Sequence, residues 1–289
     1  MSIKNDSSAI TFETRLAQFP LRSLKIGESH VSYREAGEGN DGPPLVLLYG
    51  IGSGSASWVQ QFEALGEHYR VLAWDAPGYG ESTPVLPESP VANDYAFVLA
   101  EWLDALQLEQ CVLTGHSLGA IIAGAFTVAR AEQVCSLLLI SPAVGYGAAD
   151  PSLREEKRDA RLALIDGLGP EGLAETRSRN MLSDHASQKA RDWVKWNMSR
   201  VIPAGYRQAT HLLANADLVA DLQRCRKRVP IEVAVGEEDT ITPPKACEKI
   251  ANAAETTLQV IRRAGHTGYI EAPEDYNFLI NKSVSKYKI

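Results

Sequence analysis

Residues 113–120 read LTGHSLGA and contain the pattern Gly-x-Ser-x-Gly around Ser117. Residues 111–116 predict a buried strand, and residues 118–129, which are apolar nearly throughout, predict a helix. A serine at a sharp strand-to-helix turn needs small neighbours, because a side chain at either glycine would collide with the strained backbone. The stretch therefore predicts a nucleophilic Ser117 on such a turn, with a purely structural serine as the alternative.

Short apolar runs rich in Val, Ile and Leu recur along the chain and are typical of strands buried on both faces. They cover residues 44–49, 69–74, 111–116, 134–140 and 231–236. Stretches with helical spacing separate them, as at residues 94–106. A leading antiparallel pair is predicted at residues 23–26 and 31–35, and a last strand at residues 257–261. The alternation predicts an α/β fold with an eight-stranded, mostly parallel sheet flanked by helices.

A helical insertion is predicted after the sixth strand, because the strand signal is absent from residues 143–213. We therefore expect a core domain made of residues 1–142 and 214–289, interrupted by this insertion. The sequence GLGP at residues 167–170 interrupts the helical pattern. Residues 150–207 hold 11 Lys or Arg against 9 Asp or Glu, a net charge of +2. Because the whole chain has a net charge of −7, the other residues together have a net charge of −9. The insertion thus differs from the core in charge as well as in pattern.

The composition is that of a compact globular protein, with 289 residues of which 45% are hydrophobic and 22% charged. The net charge of −7 offers no electrostatic footprint for nucleic acid or an anionic membrane. Residues 1–15 contain no apolar run of the signal-peptide kind, so a cytoplasmic protein is expected. The four cysteines form no Cys-x-x-Cys pair and the six histidines show no metal-binding spacing, so we predict neither a disulfide framework nor a metal site.

A serine hydroxyl is a poor nucleophile without a base, so the hypothesis requires a histidine and an acid elsewhere in the chain. His266 lies between glycines in AGHTG, shortly after the last predicted strand. Asp239 follows a predicted parallel strand, where a loop can carry a catalytic acid. The chain order Ser, Asp, His is the order that accompanies this kind of turn. Glu237 and Glu238 are the alternatives for the acid.

Three neighbouring features have simpler interpretations. His116 adjoins Ser117, but its side chain should leave the turn in another direction, which favours packing. Asp75 is expected to form a turn by accepting local N–H groups. Residues 50–55, GIGSGS, place Ser55 where a dinucleotide-binding Gly-x-Gly-x-x-Gly needs its third glycine, so that function is not favoured.

The motifs together resemble the α/β-hydrolase family, and the resemblance covers nearly the whole chain apart from the helical insertion. Residues 48–54, LYGIGSG, look like the family's oxyanion-hole loop, and residues 74–82, WDAPGYGES, like its turn after the fourth strand. Residues 115–119, GHSLG, are similar to its nucleophile elbow, while Asp239 and His266 fall where the family keeps its acid and base. By this resemblance the insertion is expected to be a cap that covers the active site.

The resemblance implies roles for five residues. Ser117 is then the nucleophile, His266 the base and Asp239 the residue that orients the base. The backbone N–H groups of Ile51 and Leu118 are the implied oxyanion donors. Neither a cofactor nor a metal ion is needed for this chemistry.

Four more residues are predicted at the substrate pocket. Tyr49 stands where the family usually has His, next to Gly50 of the oxyanion loop, so an unusual pocket wall is expected there. Trp193 and Trp196 supply aromatic surface in the cap, with ordinary packing inside the cap as the alternative.

The cap arginines are candidates for contact with a substrate carboxylate, because a planar guanidinium can clamp a carboxylate with two parallel hydrogen bonds. Arg161, Arg177 and Arg179 lie in the predicted helical region. We choose Arg179, because the neighbouring Met and Leu at residues 181–182 indicate a partly buried stretch. Solvated surface charge is the alternative for each of the three.

The resemblance implies a serine hydrolase that cleaves a carboxylic ester, lactone or amide of a small molecule through an acyl-enzyme. Such a substrate can carry a carboxylate, as ring-cleavage products of aromatic or heterocyclic catabolism do. Three alternatives remain open: a carbon–carbon bond hydrolase of a meta-cleavage-type diketone, a non-catalytic ligand-binding receptor with the same fold, and a lyase or cofactor-free oxygenase on the same scaffold, which no feature of the sequence singles out. Neither nucleic acid nor a membrane is an expected partner, and a homodimer is left open.

Overall fold

One mixed sheet of eight strands organises the computed structural model, which describes residues 11–286. The strands are β1 (Arg22–Ile26), β2 (Ser29–Ala36), β3 (Leu45–Leu48), β4 (Val71–Trp74), β5 (Cys111–His116), β6 (Val134–Ile140), β7 (Ile231–Gly236) and β8 (Leu258–Ile261). Their order in the sheet is β1-β2-β4-β3-β5-β6-β7-β8. The pairs β1–β2 and β2–β4 are antiparallel and the other neighbours are parallel. The predicted α/β fold with a mostly parallel sheet is confirmed.

Eleven α-helices lie within the described residues. They are α1 (Phe12–Leu16), α2 (Val59–Leu65), α3 (Ala92–Ala105), α4 (Leu118–Ala129), α5 (Pro151–Arg177), α6 (Gln188–Met198), α7 (Pro203–Asn215), α8 (Leu218–Cys225), α9 (Pro244–Ala253), α10 (Gly268–Glu271) and α11 (Pro273–Val284). Short 3₁₀ segments cover Ser55–Trp58, Ala131–Gln133 and Ser178–Met181. None of the helices in residues 11–286 is both long and apolar enough to cross a membrane. Residues 1–10, which belong to the stretch predicted to lack a signal peptide, lie outside the described part.

The central strands are apolar because helices cover both faces of the sheet. All residues of β3, β4, β5 and β7 are buried, as the unbroken apolar runs of the sequence predict. Helix α4 is likewise buried over almost its whole length, between β5 and α8. The largest side chains of this core include Trp58, Trp74, Trp102 and Phe126.

Helices α5, α6 and α7 fill the chain between β6 and α8, where the sequence predicts the insertion, and we call Pro151–Asn215 the cap. Helix α7 ends two residues beyond the predicted limit of 213. Helix α5 is broken at Gly169, whose φ of 65° and ψ of −177° are not helical, and Pro170 follows. Glycine tolerates that conformation and proline cannot continue the preceding helix, so the GLGP sequence explains the break. The division of the chain into two domains stays a prediction.

The loops that carry the candidate site meet at one edge of the sheet. Ser117 follows β5, Asp239 follows β7, and His266 lies in the loop after β8. Because these strands are parallel, their carboxyl ends lie at the same edge, where ligands bind in open α/β sheets.

Candidate active site

Ser117 lies on a strained turn between β5 and α4. Its φ of 52° and ψ of −112° are unusual for a residue with a side chain. A Cβ at Gly115 would lie 2.6 Å from the carbonyl oxygen of Gly119, so the turn accepts only glycine at that position. The Ser117 carbonyl accepts hydrogen bonds from Ala120 N and Ala143 N, both at 3.1 Å, which fix the turn. The predicted strand–turn–helix geometry is therefore present.

His266 and Asp239 form a buried pair. His266 Nδ1 donates to Asp239 Oδ2 at 2.9 Å, and the two residues are 3% and 2% exposed. The other carboxylate oxygen, Oδ1, accepts from Ile241 N at 2.8 Å and Thr242 N at 2.9 Å. Burial acts to raise the pKa of Asp239, but the charge of His266 and these hydrogen bonds outweigh it and lower the pKa to about 2. The carboxylate is thus ionised at neutral pH and holds the imidazole with Nδ1 protonated.

Thr242 contacts both members of this pair, and the sequence analysis did not identify it. Its hydroxyl oxygen lies 2.8 Å from Asp239 Oδ2, 3.0 Å from the Ser141 carbonyl oxygen and 3.2 Å from His266 Nδ1. The hydroxyl can donate to either of the two oxygens. The available signal was a threonine three residues after the acid, the spacing at which such groups bond within a turn.

The two alternative acids face away from the imidazole. The Glu238 carboxylate lies 3.1 Å from His185 Nε2, and Glu237 accepts a hydrogen bond from Arg263 N at 3.2 Å. Asp75, expected to be a turn former, accepts from Ser55 N and the Ser32 hydroxyl, both at 2.9 Å. The geometry favours Asp239 over either glutamate as the acid.

His116 positions the His266 loop. Its Nε2 lies 2.9 Å from the carbonyl oxygen of His266, so Nε2 carries the proton and donates. Burial, and then the neighbouring His266, lower the pKa of His116 to about 3, so its ring is neutral. The two imidazole rings are 4.8 Å apart, and the ring of Tyr269 lies 4.9 Å from His116. The packing role expected for His116 thus includes one specific hydrogen bond.

Glu271 connects the same loop to the cap, and sequence reasoning gave no signal for it. One of its carboxylate oxygens accepts from Gly265 N, and the other accepts from Ser183 N at 3.0 Å and from the Ser183 hydroxyl at 2.9 Å. Burial raises the pKa of Glu271, against these hydrogen bonds. A second link runs from Thr267 N to the Met181 carbonyl at 2.7 Å. Hydrogen bonds therefore connect the loop around His266 to the segment of the cap that precedes α6.

A cavity of about 270 Å³ lies between the core and the cap. Its core side includes Gly50, Ile51, Ser117, Leu118, Thr242 and His266, and its cap side includes Arg161, Arg177, Met181, Val194, Asn197 and Met198. Leu118 is the first residue of α4, so its N–H has no partner within the helix. The two predicted oxyanion donors, Ile51 and Leu118, thus line the same cavity as Ser117. In residues 11–286 no group of three His, Cys, Asp or Glu side chains could hold a metal ion.

Tyr49, predicted at the pocket wall, does not line the cavity. Its ring is buried and packs edge-on against Tyr79 at 5.7 Å, while its hydroxyl accepts from Ala76 N at 2.8 Å. The Tyr79 hydroxyl in turn donates to the Ile51 carbonyl at 2.8 Å. Tyr49 therefore packs against the loop of residues 50–54 on the side away from the cavity, whereas the neighbouring Gly50 does line the cavity as predicted.

Trp193 and Trp196 also lie outside the cavity lining. Trp193 stacks on Phe12 at 4.3 Å and on Trp196 at 4.6 Å. The reason is helical phase, because the face of α6 that meets the cavity carries Val194 and, three and four residues later, residues 197–198. The tryptophans occupy the adjacent face and pack within the cap.

Arg179 is exposed and lies outside the cavity lining, so its predicted inward position is wrong. It belongs to the 3₁₀ segment Ser178–Met181, in which three residues make one turn. Since Met181 faces the cavity, Arg179, two residues earlier, faces a different direction. Arg177 and Arg161 line the cavity instead.

The structure is thus that of an α/β protein in which a serine on a strained turn lines a cavity beneath a helical cap, together with the histidine of a His–Asp pair. Residues 45–277 match the sequence model of the alpha/beta hydrolase family. The chain belongs to the α/β-hydrolase family.

Relatives in this family include hydrolases of small molecules. The (E)-2-((N-methylformamido)methylene)succinate hydrolase of Acinetobacter baylyi is 28% identical over 89% of this chain and 95% of its own length. The dihydrolipoyllysine-residue acetyltransferase component of the acetoin cleaving system of Cupriavidus necator is 30% identical over 87% of this chain, but the match spans only 66% of that protein. The structure of the enol-lactonase from Burkholderia xenovorans superposes with a TM-score of 0.80 at 19% identity, over 91% of this chain and 100% of that one.

Proposed function

We propose that this protein is a serine hydrolase that cleaves a carboxylic ester, lactone or amide of a small molecule through an acyl-enzyme. The observation that carries the proposal is that His266, which hydrogen-bonds to the buried Asp239, lines the same cavity as Ser117. A serine hydroxyl becomes an effective nucleophile only beside a general base, and a histidine oriented by an aspartate is such a base.

In the first half-reaction, His266 Nε2 accepts the proton of the Ser117 hydroxyl while Oγ attacks the substrate carbonyl carbon. The negative charge that develops on the carbonyl oxygen is stabilised by the N–H groups of Ile51 and Leu118. His266 then gives its proton to the leaving alcohol or amine, and the bond between that group and the carbonyl carbon breaks. The product of this step is an ester between the acyl group and Ser117.

In the second half-reaction, water takes the place of the serine. His266 removes a proton from water, the resulting oxygen attacks the ester carbonyl, and Ser117 Oγ leaves with the proton held by His266. Asp239 stays ionised throughout and stabilises the imidazolium that forms twice in the cycle. The low pKa of this carboxyl group supports the role, since a group with a pKa of about 2 does not take up the proton itself.

The relationship to the Acinetobacter baylyi succinate hydrolase supports a hydrolase acting on a small molecule. The cavity volume of about 270 Å³ is close to the lower end of the range found for small-molecule sites, so the cavity fits a small substrate.

Reaction with a fluorophosphonate probe, followed by peptide mass spectrometry, tests the nucleophile. We expect one probe per chain on the peptide that contains Ser117, and none on the Ser117→Ala variant. A folded wild-type protein that does not react, or that reacts elsewhere, would refute the acyl-enzyme and favour a ligand-binding receptor.

Product analysis tests the bond that is cleaved. Short-chain p-nitrophenyl esters, enol-lactones, N-acyl amides and a vinylogous 1,5-diketone form a suitable panel. Turnover of an ester, lactone or amide supports the proposal. Turnover of the diketone alone would reassign the same three residues to carbon–carbon bond hydrolysis.

A further inference from the structure

Two arginines of α5, Arg161 and Arg177, line the cavity without a charged partner. Within residues 11–286 neither guanidinium makes a hydrogen bond or an ion pair with another side chain or with the backbone. Two arginines of the cap that do not line the cavity have acidic partners: Arg158 donates to Asp159 at 2.7 Å and Arg207 to Asp166 at 2.8 Å. Arg161 and Arg177, which do line it, have no such partner.

The cavity itself contains no compensating negative charge. No aspartate or glutamate is among its lining residues in the described chain, and Asp239 lies behind His266 with its oxygens already bonded. Most of the remaining wall is apolar, with Met181, Val194 and Met198 on the cap side. Both arginines are half-buried, and each guanidinium carries a positive charge. Two positive charges thus face a mostly apolar space that lacks an internal counter-charge.

We propose that Arg161 and Arg177 form an anion subsite, and that the substrate carries at least one carboxylate that binds there. The proposal rests on the hydrolase function proposed above and specifies its substrate class. A carboxylate fits because its two oxygens match the fork of a guanidinium in a bidentate pair, and because burial strengthens such a charge-assisted pair. An uncharged substrate would leave both guanidinium groups partly desolvated without compensation.

The placement of the two groups also fixes the orientation of the substrate. Ser117 and the oxyanion donors belong to the core side of the cavity, whereas both arginines belong to the cap side. The carboxylate therefore lies at the end of the substrate remote from the scissile carbonyl. Its negative charge is kept away from the oxyanion, and the arginines contribute equally to binding the ground state and the transition state. Their loss should raise KM and leave kcat nearly unchanged.

The binding test uses the full-length Ser117→Ala protein, so that binding is measured without turnover. Glutarate is the probe, and glutaramide, which has the same carbon skeleton and no charge, is the matched neutral ligand. We expect isothermal titration calorimetry to detect glutarate and not glutaramide. Arg161→Gln and Arg177→Gln in this background should each weaken glutarate binding about tenfold or more, the usual effect of losing a charge-assisted hydrogen bond. Arg179→Gln is the control, because that exposed side chain carries the same charge two residues from Arg177.

Three outcomes would overturn the subsite. They are absence of glutarate binding, equal binding of glutarate and glutaramide, and equal losses in the Arg179→Gln control and the two test variants. A circular dichroism melting curve for each variant shows whether a loss comes from unfolding. The result is separable from the hydrolase proposal, because fluorophosphonate labelling of Ser117 in the wild-type protein does not depend on the arginines. Labelling without glutarate binding rejects the substrate class alone, and binding without labelling rejects the chemistry alone.

Discussion

The core and the cap differ in how their structure positions the side chains at the cavity. In the core, strands buried on both faces end in turns whose backbone conformation is imposed by glycines and by hydrogen bonds, as at Ser117. In the cap, α5 buries only three of its residues, Ile165, Leu173 and Ala174, and is broken in the middle by Gly169. The core therefore fixes the reacting groups through the backbone, whereas the cap presents side chains whose direction depends on helical phase.

Under the proposed function, this difference separates the groups that react from the groups that bind the substrate. The candidate catalytic groups all come from loops at the carboxyl edge of the sheet, and each is held by at least one hydrogen bond from the core. The groups proposed to bind the substrate carboxylate, Arg161 and Arg177, both line the cavity from the cap. Variants of the core should thus reduce kcat, and variants of the cap should change KM or stability. Variants in both regions test that division.

Ser117→Ala should give the largest effect. Removing the hydroxyl leaves no nucleophile, so kcat should fall by about 10⁴-fold or more on any substrate that the wild type turns over. The smaller side chain is tolerated at the turn, and the melting temperature should stay within a few degrees of wild type. Steady-state kinetics and circular dichroism measure the two quantities. Retention of a near-wild-type rate by the folded variant would exclude the covalent mechanism.

Asp239→Asn should come next, with a loss in kcat of about 10⁴-fold. An amide in place of the carboxylate can offer its NH₂ group to His266 Nδ1, which then favours the wrong tautomer and no longer stabilises the imidazolium. Glu238→Gln is the matched control, since that carboxylate pairs with His185 outside the site, and its activity should be close to wild type. A mild loss at Asp239 together with a severe loss at Glu238 would reassign the acid.

The same carboxyl group predicts how stability depends on pH. The folded-state pKa of Asp239, about 2, lies below its ordinary value of 3.8. The folded protein therefore favours the ionised form, and the resulting stabilisation is fully present above about pH 4. It is lost as the pH falls from about 4 to about 2. In acid unfolding experiments Asp239→Asn should lack this part of the pH dependence; a slope identical to wild type in that range would contradict the pKa assignment.

Most of the core could be predicted from the sequence because its determinants are local. Unbroken apolar runs predict the buried strands, and the glycines around Ser117 predict the turn, since only glycine fits where a Cβ would meet the backbone. The histidine and the acid follow from chain order and from their place after predicted strands. Thr242 and Glu271 were missed because their roles depend on which loops meet in space, and single-sequence patterns do not encode that.

The cap was less predictable for a physical reason. A helix carries side chains in all directions, and an error of one or two residues in phase moves a residue from the cavity to the solvent. The break at Gly169 and the change to a 3₁₀ turn after Arg177 both shift that phase. Arg179 was chosen for its apolar neighbours, but Met181 faces the cavity and Arg179 does not. Such a choice requires the geometry of the turn.

Glu271→Gln tests the link between core and cap, and its effect should be intermediate. The two carboxylate oxygens accept from different donors, Gly265 N on one side and Ser183 on the other, whereas an amide has only one acceptor oxygen. One buried donor is left unsatisfied, which should cost about 1–3 kcal/mol of stability. Because Gly265 precedes His266, kcat should fall about tenfold as the imidazole becomes less well held.

Glu274→Gln is the control for this variant, because Glu274 is exposed at the start of α11, three residues from Glu271. Urea unfolding and steady-state kinetics should show both losses for Glu271→Gln and neither loss for the control. Loss of stability with unchanged kcat would mean that the link holds the cap in place without positioning the imidazole.

Phe12→Ala should have the smallest effect and tests whether the cap is held from outside the site. Helix α1 contacts both regions: Phe12 stacks on Trp193 of the cap at 4.3 Å, and Arg15 donates to Glu63 of α2 in the core at 2.7 Å. Losing one aromatic stack should cost about 1 kcal/mol and lower the melting temperature by a few degrees. Since no residue of α1 lines the cavity that contains Ser117, kcat should be unchanged while KM rises slightly as the cap becomes less well anchored. Phe97→Ala, at a 65% exposed position on α3, is the matched control and should change neither quantity. A fall in kcat for Phe12→Ala would show that the cap also positions the reacting groups, and the division between a core that reacts and a cap that selects would then have to be abandoned.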